Sequence, residues 1–325
     1  MAFMNETRLQ MKGTELMSFH NGTTSLPPDV QDLVSLYDTL LPLFASLAFV
    51  SLLFAMFANI LVILIGSADP RNHNMASLFL LNISAAGIFY AGVNVVGEII
   101  MLRYDVTRLQ SSCVVQPLTS LQMILYSVLA YSVTGLCIER YLSKQTLDFP
   151  SYENIDERLN IKLTIFAAIW ISSVAILAPI GLCSAKLSVA YLAFLIIFLH
   201  AFPLLGIFIS NILHFKLTNN SVVPGPIVGN VTIYPIDQSE RSLLASIVIT
   251  LIVTWTPFHV VFVVGELSEF SSIGIYRFDL VRRAMQMLAH WNVLLNPVLF
   301  YKYATNLREG FNSIVVFCIH MFRQQ

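Results

Sequence analysis

The sequence predicts an all-α membrane protein: a seven-transmembrane helix bundle followed by a short amphipathic C-terminal helix. Three observations predict it. The 325 residues are 56% hydrophobic and only 11% charged, with a mean hydropathy of +0.73, whereas a soluble domain carries about 25% charged residues. So few charges cannot cover a water-facing surface of this size, and the solvent that suits the chain is lipid. Six mostly apolar stretches, each of the length that crosses a bilayer core, succeed one another along the chain. A further stretch near the C-terminus is more polar, but its polar residues recur every three or four positions and fall on one helical stripe.

The elements follow in order. Residues 1–38 are polar and hold no apolar core ahead of a small-residue cleavage site. They read as a polar N-terminal tail, extracellular only if the resemblance drawn below holds, and the first hydrophobic helix reads as its own insertion signal. The apolar runs cover residues 40–65, 75–102, 118–138, 161–182, 189–213 and 243–264. The seventh, 278–301, carries Arg282, Arg283, His290, Asn292 and Asn296. Arg282, Gln286, His290, Val293, Asn296 and Phe300 make up its stripe, which faces the bundle interior if the segment spans. Residues 306–321 contain polar breaks and follow directly, as an amphipathic helix lying on the membrane surface would. The organisation is a tail over 1–38, a helix bundle over 39–303, and a surface helix with a short tail, cytoplasmic on the resemblance drawn below, over 304–325.

Charge and composition narrow the function. A net charge of −1 offers nothing to nucleic acid and no polybasic membrane arm. Four cysteines do not make a disulfide scaffold. No metal-ligand or nucleophile constellation emerges, so no enzyme activity, metal or cofactor is expected. A transporter or channel remains an alternative, but it predicts inverted repeats or paired charges along a pathway, and the sequence has neither. Orientation is poorly marked. With the N-terminus outside, ten of the 18 Lys and Arg fall on inner segments and eight on outer ones, a weak positive-inside bias. Glycosylation sequons at Asn5 and Asn21 compete with others at Asn219 and Asn230 on the opposite face.

Prolines sit inside four spans, at Pro179, Pro203, Pro257 and Pro297; each removes a backbone hydrogen bond that neighbours must replace. Glu139-Arg140-Tyr141 closes the third span, Trp255-Thr-Pro257 lies within the sixth, and Asn296-Pro297-Val-Leu-Phe300 ends the seventh. Asn59, Asn82, Trp170 and Pro203 mark the first, second, fourth and fifth. This ordered series resembles the rhodopsin-like (class A) G-protein-coupled receptors over roughly residues 40–318.

The resemblance implies a cell-surface receptor in the plasma membrane that passes an extracellular ligand signal to a heterotrimeric G protein. Glu139 would hold Arg140 at rest and release it to the G protein, with Tyr141 alongside. That places Arg140 inside, the N-terminus outside, and makes Asn5 and Asn21 the usable sequons. Trp255 and Pro257 would form the hinge of the sixth span, and Asn296, Pro297 and Phe300 the switch of the seventh. Cys113 and Cys183 occupy the positions that the family joins in a disulfide, although Cys113 lies about two residues too far from Arg140. Cys318 beside the surface helix is a candidate for palmitoylation, and Cys137 reads as an inert core thiol.

Helical spacing points Gln122, Tyr126, His259, Phe262, Gln286 and His290 into a ligand cavity. Arg282 and Arg283 near its mouth would suit an acidic group, or be solvated charges at a helix end. His200 and His259 each lie near their helix's proline and could face one another or the cavity. Intramembrane ionisable groups are functional candidates, though a hydrogen-bonded neutral histidine is the plainer reading.

The chain departs from the family at several positions. Gly87 stands where an aspartate that holds sodium is expected, Phe300 and Asn211 replace tyrosines, and Gln122 replaces the aspartate of amine receptors. No lysine lies in the middle of the seventh span, so retinal is excluded. These departures favour a peptide or lipid ligand over a monoamine. They also keep open a receptor-like protein that sequesters ligand without signalling.

Overall fold

The computed structural model describes residues 28–69, 74–103, 115–145, 159–181, 188–220, 238–268 and 272–323. These are almost entirely helical, and no strand occurs among them. In chain order they form α1 (Pro28–Ala68), α2 (Met75–Arg103), α3 (Val115–Gln145), α4 (Leu159–Leu177) with a 3₁₀ turn (Ala178–Gly181), and α5 (Val189–Ile196). A π turn (Ile197–Ala201) then leads into α6 (Phe202–Asn220), followed by α7 (Gln238–Leu267), α8 (Ser272–Tyr303) and α9 (Thr305–Arg323).

Local chemistry sets several of these boundaries. α1 starts at Pro28, a position where a missing N–H costs nothing. Its first turns therefore take in residues 28–38, which composition alone assigns to the tail. Asn74 accepts from the Ser77 N–H at 2.8 Å at the start of α2, and Ser188 accepts from the Tyr191 N–H at 3.2 Å at the start of α5. α8 and α9 are separated by Ala304 alone, whose N–H donates to the Phe300 carbonyl at 2.8 Å.

Six stretches are long and apolar enough to cross a membrane: Gln31–Ala68, Met75–Ile100, Gln116–Ser143, Asn160–Gly181, Val189–Leu213 and Arg241–Leu267. Their surroundings agree with lipid. Phe54, Phe57, Ile171, Phe202 and Phe208 are exposed, while Asn59, Asn94, Gln122, His259 and Asn292 are buried. A water-soluble fold distributes these residues the other way round. The chain is a helical membrane protein on these grounds. α8 stands outside the six on composition, but its Asp279, Arg283, His290, Asn292 and Asn296 are buried, and its Val281, Trp291, Leu295 and Val298 are exposed.

α3 is the central rod, in contact with α2, α4, the 3₁₀ turn, α6 and α7. α1 packs against α2 and α8, α7 against α8, and α9 against both α8 and α1. Small residues bring the rods together: Ala48, Ala55, Ala76, Ala91, Ala130 and Ala289 are all in the core. At the foot of α1, a Cβ on Gly310 would collide with Ile65, so glycine is what lets α9 lie against α1.

Proline-freed carbonyls find partners on neighbouring rods. The Val293 carbonyl, four residues before Pro297, accepts from Asn59 Nδ2 of α1 at 3.0 Å. The π turn ahead of Pro203 leaves the Phe198 carbonyl to Tyr131 Oη of α3 at 2.9 Å. Around Pro179, the Leu177 carbonyl accepts from Ser120 Oγ and the Ile176 carbonyl from Tyr191 Oη. Pro42 is a further intrahelical proline, in α1, beyond the four that the sequence reading singled out.

Candidate functional site

One end of the bundle gathers the start of α1, the end of α2, and the starts of α3 and α8. Four charged groups meet there. Asp279 Oδ1 accepts from Arg282 Nε at 3.0 Å and Nη2 at 2.5 Å. Its Oδ2 accepts from Arg283 Nε at 2.7 Å and from Tyr37 Oη at 2.8 Å. Arg283 Nη1 also lies 3.9 Å from Glu98 Oε2 of α2, a long contact by the standard of a charge-assisted bond. The Arg282 side chain is 27% exposed and that of Arg283 only 5%. Spacing in α8 explains the arrangement, because Asp279, Arg282 and Arg283 at i, i+3 and i+4 share one face.

Below this cluster, Asn94 of α2 is a hub. Its Oδ1 accepts from Gln122 Nε2 of α3 at 2.7 Å and from Gln286 Nε2 of α8 at 3.1 Å, while its Nδ2 donates to the Tyr90 carbonyl at 2.8 Å. A polar cavity of about 20 Å³ lies between these helices, lined by Glu98, Gln122, Arg282, Arg283 and Gln286 among others. A second, of about 10 Å³, is lined by Phe44, Ala48, Glu98, Arg283, Met287 and His290. Each has room for about one or two waters.

Deeper still, the rings pack into a cage. Tyr126 lies 4.4 Å from both the Trp255 and His259 rings, centroid to centroid, and Tyr90 lies 5.2 Å from Trp255. Tyr126 Oη is 3.2 Å from His200 Nδ1, and Tyr90 Oη is 3.2 Å from His290 Nδ1. The His200 and His259 rings meet edge to face at 4.3 Å, so these two histidines face one another. His259 Nδ1 lies 2.9 Å from the Trp255 carbonyl, which can only accept, so Nδ1 carries the proton. Trp255 is almost wholly buried one turn before His259.

The other end holds Glu139 and Arg140 at the end of α3, with Arg140 Nε 3.6 Å from Glu139 Oε2. Tyr141 follows, half-buried. In between, Trp170 Nε1 donates to Asn82 Oδ1 at 3.0 Å, and Asn82 Nδ2 to Ser132 Oγ at 2.7 Å, tying α4, α2 and α3 together. Asn296 Nδ2 donates to Asn292 Oδ1 at 3.3 Å, and Phe300 is fully buried in the core.

The sequence-predicted cavity residues thus meet in two adjoining groups. Gln122 and Gln286 share Asn94, while Tyr126, His259 and His290 belong to the ring cage. Phe262 packs half-buried at the edge of the core. Pro257 lies inside α7 two residues after Trp255, and Pro297 inside α8. Cys137 is buried and reduced. Asn5, Asn21, Cys113 and Cys183 lie outside the described residues, as does the side chain of Cys318.

Sequence reasoning missed Asp279, Glu98, Tyr37 and Asn94. Two signals pointed to the first two of them: a carboxylate three and four residues before two arginines, and a glutamate near the end of an otherwise apolar span. Among the described residues no group of three or more His, Cys, Asp and Glu is placed to hold a metal ion. No protein-family model matches the chain, and no curated protein matches it significantly.

Proposed function

We propose that this protein is a seven-helix receptor of the rhodopsin-like class, in the plasma membrane with its N-terminus outside, and not an enzyme. A ligand enters at the Asp279 end between α2, α3 and α8, and a heterotrimeric G protein engages the Arg140 end. The observation that carries this reading is the unbroken chain of contacts from the polar cleft to the α7 proline: Asn94 to Tyr90, Tyr90 to Trp255, and Trp255 two residues from Pro257. A ligand that shifts Asn94 or Gln122 would then press on rings packed directly on the helix that carries Pro257. Signalling follows as a population shift, in which an agonist binds the state with α7 displaced more tightly than the resting one. The buried polar stripe of α8 supports that helix as the seventh span, and its exposed apolar residues would face lipid. α9, with Leu307 buried against the bundle and Val315 and Val316 exposed, fits the surface helix.

A G-protein dissociation assay in cells over a ligand panel, comparing wild type with Arg140→Ala, tests the reading. The expected result is a response from wild type that Arg140→Ala loses. Equal responses from both would remove the assigned role of Arg140.

A second reading, a receptor-like protein that sequesters ligand without signalling, draws on the other end of the bundle. Phe300 has no hydroxyl to offer, and Asn211 spends its Nδ2 on the Ile207 carbonyl of its own helix at 2.9 Å. Ligand binding with no G-protein response from wild type would favour it.

A further inference from the structure

We infer that the smaller cavity at the Asp279 end binds one ordered water molecule that bridges Glu98, Arg283 and His290. The bridge joins the charge cluster to the ring cage, and only the signalling consequence of that link rests on the receptor reading. The cavity is about 10 Å³, and its walls are Phe44, Ala48, Glu98, Arg283, Met287 and His290. That is space for about one water, and a buried water needs two to four polar partners. Glu98 Oε2 and Arg283 Nη2 are buried and make no hydrogen bond within the protein. Arg283 Nη1 stands 3.9 Å from Glu98 Oε2, too long for a direct bond and within the reach of a water between the two side chains. Buried charges without such a partner are costly. His290 supplies the third group: its Nδ1 lies 3.2 Å from Tyr90 Oη, which leaves Nε2 for the cavity.

Hydrogen-bond chemistry, charge and size all select water. Arg283 Nη2 can only donate, and a Glu98 carboxylate can only accept. With the Tyr90 hydroxyl donating to Nδ1, His290 Nε2 carries the ring proton and donates as well. The occupant must therefore accept two hydrogen bonds and donate one, which a water does with its two lone pairs and one of its hydrogens. Arg282, Arg283, Asp279 and Glu98 sum to zero, so a neutral occupant keeps a balance that a lone cation or anion would upset. A larger polar molecule has no space, because Phe44, Ala48 and Met287 close the remaining walls. Arg283, Met287 and His290 share one face of α8 at i, i+4 and i+7, so the helix itself sets the site. The bridge adds a second line of contact between the charge cluster and α7. It runs from Glu98 through the water to His290, from His290 to Tyr90, and from Tyr90 to Trp255, beside the first line through Asn94.

The test uses the full chain in phosphatidylcholine nanodiscs and two readouts. In the first, an X-ray pulse generates hydroxyl radicals from bound water, and oxidation of neighbouring side chains is read by mass spectrometry. Met287 lines the cavity; Met285, also half-buried on α8, does not, and serves as the control. Met287 is expected to be oxidised several-fold faster than Met285. Ala48→Val places two more carbons in the cavity and is expected to bring Met287 down to the rate of Met285. In the second readout, thermal unfolding, Ala48→Val is expected to lower the midpoint, because expelling the water strands Glu98 and Arg283. In a Glu98→Leu background the same substitution is expected to cost clearly less, whereas simple overfilling would cost the same in both. Equal oxidation of Met287 and Met285 in wild type would overturn the proposal, and this arm stands even if Glu98→Leu does not fold. A midpoint raised by Ala48→Val, as filling a dry void raises it, or equal losses in the two backgrounds would overturn it too. Neither readout involves a G protein. Both expected results without a G-protein response retire the receptor reading and leave the water site standing, and a G-protein response without them retires the water site alone.

Discussion

Asp279 occupies a position where a single carboxylate accepts from three side chains on two helices, since both arginines and Tyr37 bond to it. Removing one member of a buried ion pair costs about 3–5 kcal/mol, because the charge left behind stays desolvated. The cost at an exposed pair is about 1 kcal/mol or less. Asp279→Asn strands Arg283, whose side chain is 5% exposed, whereas Arg282→Gln removes a side chain that water already reaches. Thermal unfolding in nanodiscs is therefore expected to rank Asp279→Asn as the more damaging by about 2 kcal/mol or more. Equal losses would mean that the cluster is solvated. Gly87 makes a separate case at the same scale. A Cβ there would meet Val293 Cγ1 at 3.0 Å and Asn59 Cγ at 3.2 Å, so Gly87→Ala presses on the residue that bridges α1 to α8. It is expected to cost about 1–3 kcal/mol, the usual range for overfilling a packed interior. An unchanged midpoint would show that Asn59 can withdraw freely. The same crowding gives a physical reason for glycine at this position.

At the scale of the helix, prolines and their rescuers act in pairs. Pro297 has no N–H to give the Val293 carbonyl, and Asn59 of α1 supplies the bond instead. A double-mutant cycle isolates this. Asn59→Ala is expected to cost about 0.6–1.7 kcal/mol in wild type, the range for hydrogen bonds between membrane helices, and clearly less in a Pro297→Ala background where the helix bonds itself. Identical costs in both backgrounds would assign Asn59 its value through packing alone. The helices were legible in the sequence because lipid demands long apolar runs, and a run of that kind needs no knowledge of its neighbours to be recognised. The ring cage was partly legible too, since His259 follows Trp255 by one turn. The partner of Glu98 was not, because Arg283 reaches it only through the approach of α2 to α8, some 180 residues apart in sequence, and spacing within one helix does not encode that. Arg282 and Arg283 were read as free for an acidic group or for solvent. Their bonds to Asp279 follow from the i, i+3 and i+4 rule applied one turn earlier. The tail boundary moved for a local reason, as Pro28 starts a helix that polar composition conceals.

Whether the whole molecule crosses the bilayer six times or seven turns on α8. The six stretches that qualify by composition would return the chain to the side on which it began. α8 fails the same measure because of Gln286, His290, Asn292 and Asn296, but transfer cost depends on where such groups point. His290, Asn292 and Asn296 are each at most 2% exposed, while Trp291, Leu295 and Val298 lie on the opposite face. A 32-residue helix is about 48 Å long, longer than the hydrocarbon core, and α8 packs on α1, α2 and α7. On the proposed seven-span reading, a helix so placed carries the chain across once more and leaves its two ends on opposite sides. Epitope tags at the two termini, probed in intact and in permeabilised cells, are expected to report opposite compartments, with the N-terminal tag accessible outside. Asn5→Gln and Asn21→Gln together are expected to abolish any glycan-dependent shift in electrophoretic mobility, leaving Asn219 and Asn230 unmodified. Both tags in one compartment would leave an even number of crossings. The polar face of α8 would then belong to a helix that enters the bundle and turns back, and the Asp279 cluster would lie at a different depth from the one assigned to a ligand.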